Sequence, residues 1–300
     1  MRSPAASILL LLLCQAFLVS CEQVRFLEID EKDPRLVLNG IMSPEVGLWV
    51  NVSESTGATT PTASSFIPVV DAVVEIYQED TLVESVTEND AGNYYTTDFH
   101  PSEGLPYEVE VNSTGMPPVR ASVRIPPLVE IADLDTTVVR MPDRSGVGMY
   151  SPGEALFYTD IEFVDPPEIG NCYMIGAYYY ENDQYFPLEL ELEDLDADIY
   201  ILDGMNVIAY RDEGFNGERK TVRASFRLTK PEGFRTAILI QLYCIEEAYF
   251  DYMKSYAQNF TILNEDKILY EPVMVSSNVE DGYGIISAVS YSSVLFEYEF

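Results

Sequence analysis

The chain has 300 residues, with 17 Lys+Arg against 50 Asp+Glu and a formal net charge of −33. So negative a body repels phosphate backbones, which excludes nucleic-acid binding, and it also repels anionic lipid head groups. Hydrophobic residues at 47% and aromatics at 12% suffice for packed cores, so the acidity does not signal disorder.

Arg2 is the only charge among the first 20 residues, and the apolar run Ile8 to Leu13 follows it. That is the pattern of a secretory signal. The run is shorter than the ~20 apolar residues of a membrane span, and Gln15 breaks it. It closes on Leu18-Val19-Ser20-Cys21, which resembles the lipobox of bacterial lipoproteins. The resemblance implies a signal peptide over 1–20, cleavage before Cys21, diacylglycerol on its sulfur and acylation of the new amino terminus. Two acyl chains already anchor stably, at ~0.8 kcal/mol per buried CH₂. The alternative is ordinary cleavage nearby, with Cys21 incidental. The remaining 280 residues carry 16 Lys+Arg against 50 Asp+Glu and suit about two domains. The bland reading of that charge is a solvated surface; the sharper one is cation binding.

Residues 21–34 are charged and irregular and read as a tether. Strand signals then recur at short spacing. Arg35 to Ile41 is the first, and Leu48-Trp49-Val50-Asn51-Val52 alternates as a half-buried strand should. Residues 53–65, rich in Ser, Thr, Gly, Ala and Pro, read as an exposed loop. Three runs follow: Pro68 to Ile76, Thr87 to Tyr94 with turn chemistry at Asp90 and Gly92, and Gly104 to Val111, where Tyr107, Val109 and Val111 share one face. Their order resembles the small prealbumin-like or carboxypeptidase-regulatory-like sandwich. Pro126-Pro127 marks a boundary, since paired prolines cannot continue a central ladder. The fold class expected is mainly β: a sandwich over 35–127 and a β-rich domain over 128–300 with one packed helix near 246–259.

In that second region Ala155 to Phe163 alternates after Phe157, and Val222 to Leu228 alternates too. Tyr249, Tyr252, Met253 and Tyr256 fall on one helical face, expected to pack on a sheet, and Glu246 and Glu247 suit the positive end of the helix dipole. Phe296 to Phe300 alternates like the last strand of an outer-membrane barrel. The chain lacks the many ~10-residue alternating segments a barrel requires, so a final sandwich strand is expected.

The lipobox, the Leu36–Ile41 strand, the Pro68–Ile76 segment, the Gly92/Tyr94 turn, the Ala121–Pro126 exit, the tyrosine-bearing helix and the Glu271–Ile286 ending occur in one order. Together they resemble the envelope lipoproteins grouped as domain-of-unknown-function family 4249. The most specific stretch is Ser277-Asn278-Val279-Glu280-Asp281-Gly282-Tyr283-Gly284-Ile285, where Asp281 stands for one family glycine and Ile286 for a family aromatic. The resemblance implies an outer-membrane lipoprotein, periplasmic or surface-facing, that works as an accessory to a TonB-dependent transporter. It implies no catalytic residue and no cofactor beyond the lipid.

Signs of chemistry are sparse. No G-x-S-x-G, H-E-x-x-H, P-loop or G-x-G-x-x-G occurs, and His100 is the sole histidine, so a histidine-rich zinc site is excluded. Fifty acids always supply some pair at glycosidase spacing, so carboxylate pairs have no specificity. Asp194, Asp196 and Asp198 form the weak candidate for a cation, but Ile199 stands where a calcium loop needs Gly and Met205 where it needs Glu. Cys172 and Cys244 lie in strand-like runs. Were those strands neighbours, a disulfide would close a loop of ~70 residues and stabilise by about 4 kcal/mol; two buried free thiols are the alternative. Most of the 21 tyrosines suit sheets, with a few exposed for glycan or protein contact. A binding lipoprotein is therefore expected first, a surface adhesin or structural envelope protein second, and a carboxylate-based hydrolase third.

Overall fold

The computed structural model of the protein describes residues 33–56, 67–141, 153–192, 198–202, 205–264 and 273–300. Cys21, most of the tether and Asp194 and Asp196 lie outside them. In chain order the strands are β1 (Leu36–Ser43), β2 (Gly47–Glu54), β3 (Ile67–Pro68), β4 (Val73–Gln78), β5 (Thr81–Val86), β6 (Asn89–Asp90), β7 (Asn93–Tyr95), β8 (Pro106–Asn112), β9 (Val119–Arg124), β10 (Ile131–Met141), β11 (Gly153–Val164), β12 (Cys172–Glu181), β13 (Gln184–Pro187), β14 (Leu190–Leu192), β15 (Asp198–Leu202), β16 (Met205–Arg211), β17 (Arg219–Lys230), β18 (Arg235–Ile245), β19 (Val279–Glu280) and β20 (Tyr283–Glu299). Helix α1 (Glu247–Asn264) follows β18. The mainly-β expectation holds.

An 11-stranded sheet, ordered β15-β16-β12-β18-β20-β1-β2-β7-β6 with β13 on β12 and β3 on β2, is the spine. A 5-stranded sheet, β19-β9-β8-β4-β5, and a 4-stranded sheet, β10-β11-β17-β14, complete the architecture. Residues of β1, β2, β4, β8 and β9 share one apolar core. Those of β11, β17, β12 and β18 share a second. The spine is thus the common wall of two sandwiches, and period-two alternation supplies its apolar inner face throughout.

One strand makes the spine continuous. The first part of β20 pairs parallel with β1, from Val37↔Tyr283 to Met42↔Ala288. Its second part pairs antiparallel with β18, from Ile245↔Val289 to Arg235↔Glu299. Ile286 and Ala288 therefore enter the first core, while Phe296 and Phe300 pack on the second. The expected division at 127 is crossed by this carboxy-terminal return. A terminal sandwich strand was expected at Phe296–Phe300, and β20 is that strand.

Two local expectations change. Pro68 to Ile76 is not one strand: β3 belongs to the spine and β4 to the 5-stranded sheet. The chain switches sheets between them, and the Tyr94 hydroxyl holds the corner, donating to the Val69 carbonyl and accepting from the Ala72 N–H, both at 2.9 Å. On α1 the stripe buried against the sheet is Phe250, Met253 and Ala257, against Cys172, Ile245 and Val289. Tyr249 packs at the margin of this layer and starts a ring ladder with Tyr252 and Tyr256 along the flank, with centroids 6.3 and 6.0 Å apart. The apolar side chains take the dry stripe, and the phenols keep access to water.

Candidate functional site

The outer face of the spine is covered in part by α1, which buries Cys172, Ile245 and Val289 and has Ile41, Met174 and Tyr243 packed at its margin; the rest of that face is open. Along β1, β2 and β7 one rung is all amide: Asn39 pairs with Asn51, and Asn51 with Asn93. Asn51 Nδ2 donates to Asn93 Oδ1 at 2.9 Å, and Asn93 Nδ2 to the Asp90 carbonyl at 2.9 Å. Among the described residues nothing hydrogen-bonds the Asn39 amide. The next rung holds Ile41, Trp49 and Tyr95 as direct cross-strand neighbours. Trp49 is 41% and Tyr95 52% exposed, although β2 is not an edge strand. Large aromatic area left open in the middle of a sheet is informative, because burial would have been favourable.

The same face continues over β20, β18 and β12. Tyr178 and Tyr243 hydroxyls lie 3.1 Å apart, and Tyr243 donates to Gln241 Oε1 at 2.5 Å, so Tyr178 is the donor of the first bond. The Tyr291 ring sits 5.6 Å from that of Tyr243. Burial pushes the Tyr243 phenol up, and the row is joined by hydrogen bonds from Tyr178 through Tyr243 to Gln241. Sequence reading found the alternation of Leu48 to Val52 but not the partners of Trp49, since pairing register is not a local property.

A second feature lies where the two sandwiches meet. Glu246 precedes α1, and its carbonyl accepts from the Tyr249 and Phe250 N–H groups at 3.1 Å. Its carboxylate accepts from the Arg124 N–H at 2.5 Å and from the Ala288 N–H at 3.1 Å. One side chain thus ties helix, β9 and β20 together. Burial raises its pKa to about 7, with the two backbone donors pulling the other way. Beside it opens a cavity of about 320 Å³ walled by Pro126, Pro127, Val129, Tyr173 and Ile245.

Cys172 and Cys244 are both buried and free, the second of the two readings that the sequence leaves open. Their strands are neighbours, but Cys172 is opposite Ile245 and Cys244 opposite Tyr173. That one-residue offset sends the two side chains to opposite faces of the sheet, one into the helix layer and one into the second core. Burial pushes the thiols up to about 12 and about 11, so neither is a nucleophile at neutral pH.

Two aspartates that sequence reading passed over are buried. Asp165 accepts from the Tyr173 hydroxyl and from the Gly217 N–H, and burial raises its pKa. Asp212 Oδ2 accepts from the Gly170 and Asn171 N–H groups at 2.8 and 2.9 Å. Both tie loops to strand ends, and both have backbone donors as their partners. Asp198 opens β15 opposite Ala209. Among the described residues no group of three His, Cys, Asp or Glu could hold a metal ion. His100 lies in a loop, its Nδ1 3.0 Å from the Pro44 carbonyl.

The signature near the carboxy terminus is structural. The Asn278 amide both donates to the Ile286 carbonyl and accepts from its N–H, at 2.8 and 3.1 Å, mimicking a strand. Asp281 has φ +60°, a conformation Asp tolerates in place of glycine. Gly284 has φ +97°, and a Cβ there would meet the Leu38 carbonyl oxygen at 2.0 Å.

No curated protein matches the sequence. Among solved structures, the chain is similar to AggA, the major subunit of aggregative adherence fimbriae type I of Escherichia coli, at 12% identity and TM-score 0.27, over 56% of this chain and 95% of that one. It is similar to the collagen adhesin of S. aureus at 8% identity and TM-score 0.20, over 89% and 96%. It is also similar to the major pilin subunit of Bacillus cereus at 9% identity and TM-score 0.18, over 71% and 64%. Scores this low carry no functional weight. The family model is decisive: matched from residue 24 to 294, the chain belongs to the family described as Domain of unknown function (DUF4249).

Proposed function

We propose that this protein is a non-enzymatic binding lipoprotein of the outer membrane, anchored by lipid on Cys21 and working beside a TonB-dependent transporter. The observation that carries the binding role is the aromatic and amide-bearing patch that β1, β2 and β7 present on the outer face of the spine, on a body of net charge −33. The lipobox Leu18-Val19-Ser20-Cys21 supports the anchor, which confines binding to the membrane surface. No helix of the described residues is long and apolar enough to cross a membrane. Two measurements test the reading. Mass spectrometry of the amino-terminal peptide is expected to show acyl lipid on Cys21. Detergent pull-down of the intact protein at native expression is expected to recover a large β-barrel. Absence of such a partner, with binding to whole cells retained, would overturn the transporter role and leave a surface adhesin.

A further inference from the structure

We propose that the rung Asn39-Asn51-Asn93 and the exposed pair Trp49-Tyr95, bounded on one side by Ile41 where it packs on the helix layer, form a platform for a neutral saccharide. The proposal rests on the binding role above and names the class of ligand. Strands stand about 4.8 Å apart, so three strands present a row about 10 Å wide, which suits one or two pyranose rings. The apolar rung offers the exposed faces of Trp49 and Tyr95, against which the C–H face of a sugar packs. The rung beside it offers carboxamides, each with two donors and an acceptor with two lone pairs, which suit sugar hydroxyls. The amides are held ready: the Asn51–Asn93–Asp90 chain of bonds fixes their direction, which lowers the entropy cost of binding.

Charge decides between occupants. All six side chains are uncharged, the one carboxylate in register beside them among the described residues is Asp90, paired with Asn93 at the end of the amide rung, and the chain as a whole is at −33. An anionic glycan would be repelled by the surrounding field, and a cationic partner would find more favourable sites elsewhere on the surface. A second copy of the chain would leave the amide rung facing an equally acidic body. A neutral polyhydroxylated ligand is the chemistry that both rungs satisfy.

Trp49 is the only tryptophan, so intrinsic tryptophan fluorescence reports on this face alone. The anchored protein in detergent is titrated with neutral hexasaccharides (cellohexaose, laminarihexaose, maltohexaose and mannohexaose) and with a hexagalacturonate. At least one neutral sugar is expected to shift the Trp49 emission saturably, and the hexagalacturonate to leave it unchanged. Tyr95→Ala and Asn51→Ala are each expected to weaken binding about tenfold or more, read by calorimetry, with the unfolding midpoint checked in parallel. The proposal is overturned by silence from all four neutral sugars up to about 10 mM, by preference for the anionic one, or by affinity unchanged in folded Tyr95→Ala. A concentration-dependent emission shift without sugar would overturn it too, assigning the face to a second copy. Barrel recovery in the pull-down is independent of these outcomes, so losing the sugar leaves the lipoprotein reading standing.

Discussion

On β1 and β2 the residues facing the first core are Leu36, Leu38, Leu48, Val50 and Val52, all buried, whereas Asn39, Ile41, Trp49 and Asn51 between them face outward. On β18 the contrast repeats: Ile238, Ile240 and Leu242 enter the second core, and Gln241 and Tyr243 stand on the other side with a hydrogen-bonded row. The same strands thus serve two purposes at alternate positions. Inner positions are constrained by packing, so their chemistry is nearly uniform. Outer positions beneath α1, such as Ile245 and Val289, form a third core; those beyond the helix, such as Trp49 and Asn51, carry little of the stability and are free to carry recognition.

That contrast can be broken first at the seam where both faces depend on one strand. Gly284→Ala places a Cβ against the Leu38 carbonyl in a backbone conformation that L-residues resist. It should cost roughly 3–5 kcal/mol, read as a large fall in the chemical-denaturation midpoint. A midpoint near that of the parent would mean that β20 does not pair with β1 as described. Leu242→Ala, inward and fully buried, should cost about 2–5 kcal/mol. Its outward neighbour Gln241→Ala should cost about 1 kcal/mol or less. Equal effects at the two positions would erase the distinction between faces.

Glu246 sharpens the comparison, because it binds the outer helix to strands of both sandwiches. Its pKa is raised from 4.5 to about 7 in the fold, so between these values the folded chain holds a proton that the unfolded chain has released. The stability contributed by the protonated group is whole below about pH 4.5 and is lost as pH rises through 7. A decline of about 3 kcal/mol across that window is expected. Glu246→Gln keeps the side-chain shape but offers one acceptor oxygen for two N–H donors. It should lower stability at pH 4.5 and flatten the decline, and an unchanged pH slope would rule out Glu246 as its source. The smallest effect concerns the thiols on opposite faces. Reductant should leave the unfolding midpoint unchanged, and a thiol reagent should modify Cys172 and Cys244 only after denaturation. A reductant-sensitive midpoint would require the two strands to pair in another register.

Much of the fold was legible locally. Alternation announced β2, β11 and β17, and Gly92 announced the β6–β7 turn. The helix expected near 246–259 spans Glu247–Asn264, with Glu247 in its first turn paired to Arg211 at 2.8 Å. Of the expected packing face, Met253 is buried and Tyr249 packs at its margin, whereas Phe250 and Ala257 take the places expected for Tyr252 and Tyr256, because the two stripes have similar helical spacing and periodicity alone cannot say which is dry. Pro68 to Ile76 read as one strand because a switch between sheets leaves little local trace beyond Pro68 and Asp71. Of the candidate site, Trp49 and Asn51 were visible as outward positions of an alternating strand. Asn93 and Tyr95 were not, since they lie more than 40 residues away and meet β2 only through pairing.

By itself the sequence determined the acidity, the β-rich class, the lipobox-like stretch ending at Cys21 and the family to which the chain belongs. These follow from composition, from short-range alternation and from motifs a few residues long. Tertiary structure alone decided that β20 closes both sandwiches, that Cys172 and Cys244 diverge, and that three asparagines and two large aromatics share one face. Each of these depends on register between distant strands. A one-residue slip there would turn every side chain to the other face, and no local pattern records which alignment the folded cores select.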